Sequence, residues 1–251
     1  MVHWLRTKIV GTLTLVLILA AGALANADSE QLILSLAPSW DSHKGMLQRY
    51  EKKRGQWVPV GQPVPALYGR NGLAWGRGIA GQEQPGRKKR EGDGRAPAGR
   101  FAIGKIYTKD RALPGNHRYP FHTVGRWDAW PDDVKNRYYN QHVVVDPANP
   151  PSWFESQRMK PDDFAYRWRI DIRHNRDSIL PGAGSAIFFH IRRGPNRATA
   201  GCTSLAESDL VELITWLDAR KQPEYVLLPK HEYERLWKAW QLPPPDRVPM
   251  P

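Results

Sequence analysis

Residues 184–205 read Gly-Ser-Ala-Ile-Phe-Phe-His-Ile-Arg-Arg-Gly-Pro-Asn-Arg-Ala-Thr-Ala-Gly-Cys-Thr-Ser-Leu. The run Ser185 to Ile191 is nearly continuous apolar, the pattern of a strand buried on both faces. It ends at His190. A short polar segment, Arg192 to Ala198, leads to Gly201 and Cys202. After them Ser204 and Glu207 fit a capping box, with Ser204 as N-cap. Leu210, Leu213, Ile214 and Leu217 follow at helical spacing. This strand, loop and helix order predicts Cys202 just before a helix N-terminus, where free amides and the helix dipole favour negative charge and lower a thiol pKa.

Cys202 is the single cysteine of 251 residues. An odd cysteine in an exported chain is a free thiol or an intermolecular link. Its inert alternative is a small buried hydrophobe. Gly201 lets the local backbone approach a carbonyl closely, so the amides of Gly201 and Cys202 are the candidate oxyanion donors. A cysteine nucleophile also needs a base held by a third group. His190, twelve residues earlier at the end of the strand, is the candidate.

Further out, more strands are legible. Gln31 to Leu36 reads as one. Gly45 to Lys52 and Gln56 to Val60 read as a hairpin around Gly55. Residues 61–100 read as turns, loops and short strands. Phe101 to Tyr107, Gln141 to Asp146 and Tyr225 to Leu228 follow as strands. Tyr166, Trp168, Ile170 and Ile172 alternate with Arg167, Arg169, Asp171 and Arg173, which predicts a half-buried strand with its charges in solvent. Lys230 to Trp240 reads as a second helix. Residues 243–251 are rich in proline and read as an extended tail. Residues 108–165 read as a long packed insertion rather than a lid. Trp127 and Trp130, beside Pro131, stand out within it as candidates for an exposed binding surface.

The first 27 residues read as a secretory leader. Arg6 and Lys8 precede an apolar run from Val10 to Ala25, and Ala23, Ala25 and Ala27 satisfy the small-x-small exit. The run is short against the about 20 residues of a membrane span, so the mature chain is expected to have no stable membrane insertion. The formal charge is +12; less the two charges of Arg6 and Lys8 it is +10. Such a surplus favours anionic partners, and export argues against nucleic acid. Arg87-Lys88-Lys89-Arg90 reads as a solvated loop. A metal hydrolase built on His117 with His122, or His174 with His190, lacks the HExxH pattern. Neither Ser-x-x-Lys nor Gly-x-Ser-x-Gly occurs, so serine chemistry has no support.

The stretch 184–190, the stretch 199–205 and Gly92-Asp93-Gly94-Arg95-Ala96-Pro97-Ala98-Gly99-Arg100-Phe101 together resemble the L,D-transpeptidase catalytic domain of the YkuD type. Arg173-His174-Asn175 is similar to one branch of that family. The resemblance is good over roughly residues 90–215. Where many members carry Ser-His before Gly-Cys, this chain has Thr199-Ala200, and the polar residue that often follows the cysteine is replaced by Ser204. The resemblance implies a mainly β, α+β fold (sandwich or barrel) with a few helices, over residues 28–242. It implies that Cys202 attacks a peptide carbonyl with His190 as base, without metal or organic cofactor. Ser204, Asn175 and His174 are possible supporting residues. The implied partners are peptidoglycan stem peptides, cross-linked or modified in the periplasm or another extracytoplasmic space. Two alternatives stay open: a hydrolase on the same site, with water as acceptor, and a non-catalytic wall-binding protein.

Overall fold

The computed structural model describes residues 29–79, 84–116 and 118–249. The expected leader and His117 lie outside them. Among the described residues there are twelve strands: β1 (Gln31–Ala37), β2 (Lys44–Lys53), β3 (Gln56–Leu67), β4 (Leu73–Trp75), β5 (Ala96–Thr108), β6 (Phe121–Thr123), β7 (Asp128–Ala129), β8 (Val143–Val144), β9 (Trp168–Ile172), β10 (Phe188–Ile191), β11 (Thr203–Leu205) and β12 (Glu224–Pro229). The helices are α1 (Phe154–Gln157), α2 (Glu207–Trp216) and α3 (Lys230–Leu236). The expected mainly β architecture is what the chain adopts.

The main sheet runs β12-β1-β2-β3-β11-β10-β9-β5-β4, and β12 also pairs with β5, so the sheet closes into a barrel. Closure leaves no free edge among the ring strands. Alternation explains the core. In β1, Leu32, Leu34 and Leu36 face one way and Ile33 and Ser35 the other, and all are buried. α2 covers the barrel with Leu210, Leu213 and Ile214, while Glu207 and Asp209 sit in its first turn, where the helix dipole favours acids.

Three expectations are corrected. First, Ser204 is not an N-cap. Thr203–Leu205 is recruited as β11, antiparallel to β3 and parallel to β10, and α2 starts after Ala206 with no side-chain cap. Sheet pairing on both sides outweighs one capping interaction of about 1 kcal/mol. Second, β9 is buried on both faces, Arg169 and Asp171 included. The insertion between β5 and β9 explains this: Val124, Trp130 and Met159 pack against Tyr107 and Phe188 and roof that side of the barrel. Third, the proline-rich end is not a free extension. Leu242 and Val248 join the core, and the Arg247 and Pro243 carbonyls accept hydrogen bonds from Tyr50 and Tyr233.

Candidate active site

Phe188, Phe189, His190 and Ile191 alternate across β10. Phe189 pairs with Thr203 and His190 with Ser204. Cross-strand partners share a face, so Phe189 and Thr203 point into the core, where both meet Tyr225. By the same register Phe188, His190, Cys202 and Ser204 lie on the opposite face, beneath the insertion. The sequence therefore brings the sole cysteine and the candidate base onto one side of two neighbouring parallel strands.

The sulfur is held by backbone. Its thiol donates weakly to the Ala186 carbonyl at 3.5 Å, and the Phe188 amide donates to it at 3.4 Å. Ala186 has φ +52, a left-handed conformation that costs an alanine on the order of 1–3 kcal/mol and that persists only where surroundings enforce it. Asn140 enforces it. Its side-chain oxygen accepts from the Ala186 amide (3.1 Å) and the Trp130 indole (3.3 Å), and its amide donates to the carbonyls of His174 (3.1 Å) and Asn175 (2.7 Å). Asn140 is thus a site residue that sequence reading missed, with no local pattern to announce it.

The turn before the sulfur is tied by Thr199, another residue without an assigned role in the sequence. Its hydroxyl donates to the Cys202 carbonyl (2.6 Å) and accepts from the Gly201 amide (3.1 Å). The Gly201 amide is therefore engaged, and the expected two-donor oxyanion hole narrows to the Cys202 amide. A Cβ at Gly201 would meet the Arg95 carbonyl at 3.0 Å, so glycine lets this turn lie against the Gly92-Asp93-Gly94-Arg95 segment. There Asp93 accepts from the amides of Arg90 and Arg95 and pairs with Lys89 at 2.5 Å. Lys89 is buried, contrary to the expectation of a solvated basic loop; Arg87, Lys88 and Arg90 are exposed as expected.

The electrostatics overturn one expectation outright. Cys202 is 8% exposed and stands ahead of a strand, not a helix. Burial pushes its thiol up to about 11, against a smaller opposing pull from the Phe188 amide, Lys89 and Arg169. The resting sulfur is a neutral thiol rather than a preformed thiolate. His190 is 5% exposed and burial draws it down to about 4, so it is a neutral imidazole. Its Nδ1 donates to the Ile191 carbonyl at 2.8 Å, which fixes the tautomer and leaves Nε2 with the lone pair. The orienting group is thus a backbone carbonyl.

His174 and Asn175 do not take that part. His174 accepts from the Arg77 amide (3.1 Å) and donates to the Ala183 carbonyl (2.9 Å), and burial draws it down to about 3. Asn175 bonds Leu180 and Gly184 backbone. Both fasten the loop that enters β10. Ser204 lies opposite His190 in register, fully buried, and its hydroxyl has no hydrogen-bond partner among the described residues.

Tyr166 is the other unforeseen neighbour. Its ring meets that of His190 edge-on at 5.1 Å, and charge on Cys202, with burial, raises its phenol to about 12. The guanidiniums of Arg169 and Arg193 lie 5.2 and 5.5 Å from its ring. Tyr166, Arg169 and Arg193 line a cleft of about 380 Å³ whose other walls include Trp130, Ala186 and Phe188. Ala186 and Phe188, which line this cleft, are the residues whose backbone bonds the sulfur. Trp130, expected to be exposed, is buried against Phe188 at 4.8 Å, and Trp127 is half-buried on Phe154 at 5.4 Å.

Compared with known families, residues 48–226 match the model of the L,D-transpeptidase catalytic domain, YkuD. The chain belongs to the YkuD family. The comparisons with curated proteins and with solved structures return no match. The YkuD match spans the barrel from β2 into β12 and includes Cys202, His190, Tyr166 and Arg169. It brings with it the family's catalytic function on peptidoglycan. Among the described residues no helix is long and apolar enough to cross a membrane.

Proposed function

We propose that this YkuD protein is an exported L,D-transpeptidase that forms an acyl-enzyme on Cys202 with a peptidoglycan stem peptide. The observation that supports the reading is the β10–β11 register, by which Cys202 and His190 face the same way, beside a cleft lined by Ala186 and Phe188, which bond the sulfur, and by Tyr166, whose ring meets His190. Because thiol and imidazole both rest neutral, activation takes the form of general-base catalysis. Cys202 Sγ attacks the carbonyl at the bond between an L- and a D-centre as His190 Nε2 takes its proton. The oxyanion lies against the Cys202 amide. His190 returns the proton to the departing D-residue amine, and the thioester remains. An amine of a second stem peptide then attacks, the imidazole takes its proton, and a cross-link forms with free thiol restored.

The cleft carries charge of both signs: Arg193 is paired with Asp163, and Arg169 donates to the Tyr166 and Lys160 carbonyls. Both guanidiniums flank Tyr166, and a substrate carboxylate that reached Arg193 would compete with Asp163 for it. Export rests on the residues 1–27 pattern. The test is purified protein with defined muropeptides, read by mass spectrometry. A cross-linked dimer with release of the terminal D-residue is expected. A shortened stem without any dimer makes water the acceptor and overturns the transferase reading.

A further inference from the structure

We propose that His122, Asp128 and His142 form a site for one divalent transition-metal ion of the zinc class. One ligand atom of each lies within 4.8 Å of the others. The residues come from three segments: β6, β7 and the stretch before β8. Both Nε2 atoms approach the same carboxylate oxygen, Asp128 Oδ1, at 2.6 and 2.5 Å. Asp128 is 4% exposed, and its other oxygen accepts from the Gly125 amide at 2.7 Å, which aims Oδ1 at the two rings. The ring centroids are 4.5 Å apart. The His122 side chain is 33% exposed, which gives the cluster access from solvent.

The ligand set is borderline in softness, two imidazoles and a carboxylate, and three protein ligands with an open position suit zinc-class ions. Two hydrogen-bond donors converging on one buried oxygen is the metal-free form. Metal–ligand distances of about 2.0–2.2 Å in a tetrahedron separate ligand atoms by about 3.3 Å, so to take an ion each nitrogen–Oδ1 distance opens by under about 1 Å, while the spread of up to 4.8 Å within the set closes. In the bound form each imidazole carries its proton on Nδ1 and presents the Nε2 lone pair. The ion would tie β6 to the β7–β8 pair and so hold in place the insertion that carries Trp130, which packs beside His142 and against Phe188.

The test is calorimetric titration of Zn²⁺ into the tag-free, chelator-stripped chain, with the electronic spectrum of the Co²⁺ form. One ion per chain is expected, with visible ligand-field bands and no thiolate charge-transfer band. His142→Ala should weaken binding by at least about tenfold, the lower scale for partners merely behind the ligands. If His142→Ala fails to fold, His122→Gln at the exposed edge asks the same question. Cys202→Ala should bind as the parent does, so failure of this site leaves the cysteine reading intact. Absence of stoichiometric binding, or equal binding by the His122→Gln and His142→Ala variants and the parent, overturns the proposal.

Discussion

Phe189 and His190 are adjacent in β10 and both buried, yet they belong to different regions of the molecule. Phe189 points into the barrel, where it meets Tyr225 at 4.6 Å and where the Tyr225 hydroxyl bonds Thr203. Every polar group named there has a partner. His190 points to the side roofed by the insertion, among Cys202, Tyr166 and the orphan hydroxyl of Ser204. That side holds a neutral thiol, a neutral imidazole and buried cations. The contrast teaches that one strand can divide its labour by alternation. Its odd positions hold the barrel together and its even positions carry reactive groups at a cost in desolvation.

The contrast breaks most sharply under substitution. Cys202→Ala should abolish turnover, a loss of at least about 10⁴-fold by analogy with nucleophile removal elsewhere, while the thermal midpoint stays near that of the parent. His190→Ala should cost about 10²–10⁴-fold, the usual share of a general base. Phe189→Ala should do the reverse: about 3–5 kcal/mol of stability lost in denaturant unfolding, with any remaining folded fraction still able to react at Cys202. If Cys202→Ala unfolds the chain while Phe189→Ala spares stability, the division of faces is wrong.

Most strands were legible from residues alone because apolar runs are local signals; a single cysteine likewise singled out Cys202, while naming His190 as its base leaned on the family resemblance. The covered face was not. Arg169 and Asp171 alternate with apolar residues as solvated charges do, and only the insertion overhead turns them inward. That insertion has little regular periodicity to read: its longest element among the described residues is the four-residue α1. Ser204 and Glu207 satisfied a helix-start pattern that sheet pairing then overrode, and with it went the helix dipole expected to ionise the thiol. Asn140 organises the backbone beneath the sulfur through bonds to residues 10 to 46 positions away, a separation no motif records.

Smaller effects sharpen the account of the covered face. Arg169 opposes burial at Cys202, so Arg169→Met should raise the thiol further and slow iodoacetamide alkylation at neutral pH by about two- to tenfold. The alkylation rate of the parent should itself climb without a plateau between pH 7 and about 10, since its thiol ionises near 11. The two buried imidazoles give the last prediction. His190 and His174 titrate near 4 and 3 when folded, against 6.5 ordinarily. Between those values the unfolded chain binds protons that the folded chain does not, so their contribution to stability is full above about pH 6.5 and is lost as pH falls through 4. The urea midpoint should drop from pH 7 to pH 4.5, and by less in a His190→Asn variant.

The central claim is that the sulfur of Cys202 becomes acylated by a stem peptide. Intact-protein mass spectrometry during turnover of a defined tetrapeptide stem, followed by peptide mapping, reads this directly. The predicted result is a mass increase equal to the donor acyl group, confined to the Cys202 peptide and lost in Cys202→Ala. A folded parent protein that turns over substrate with no such adduct, or an adduct that persists in Cys202→Ala, contradicts it.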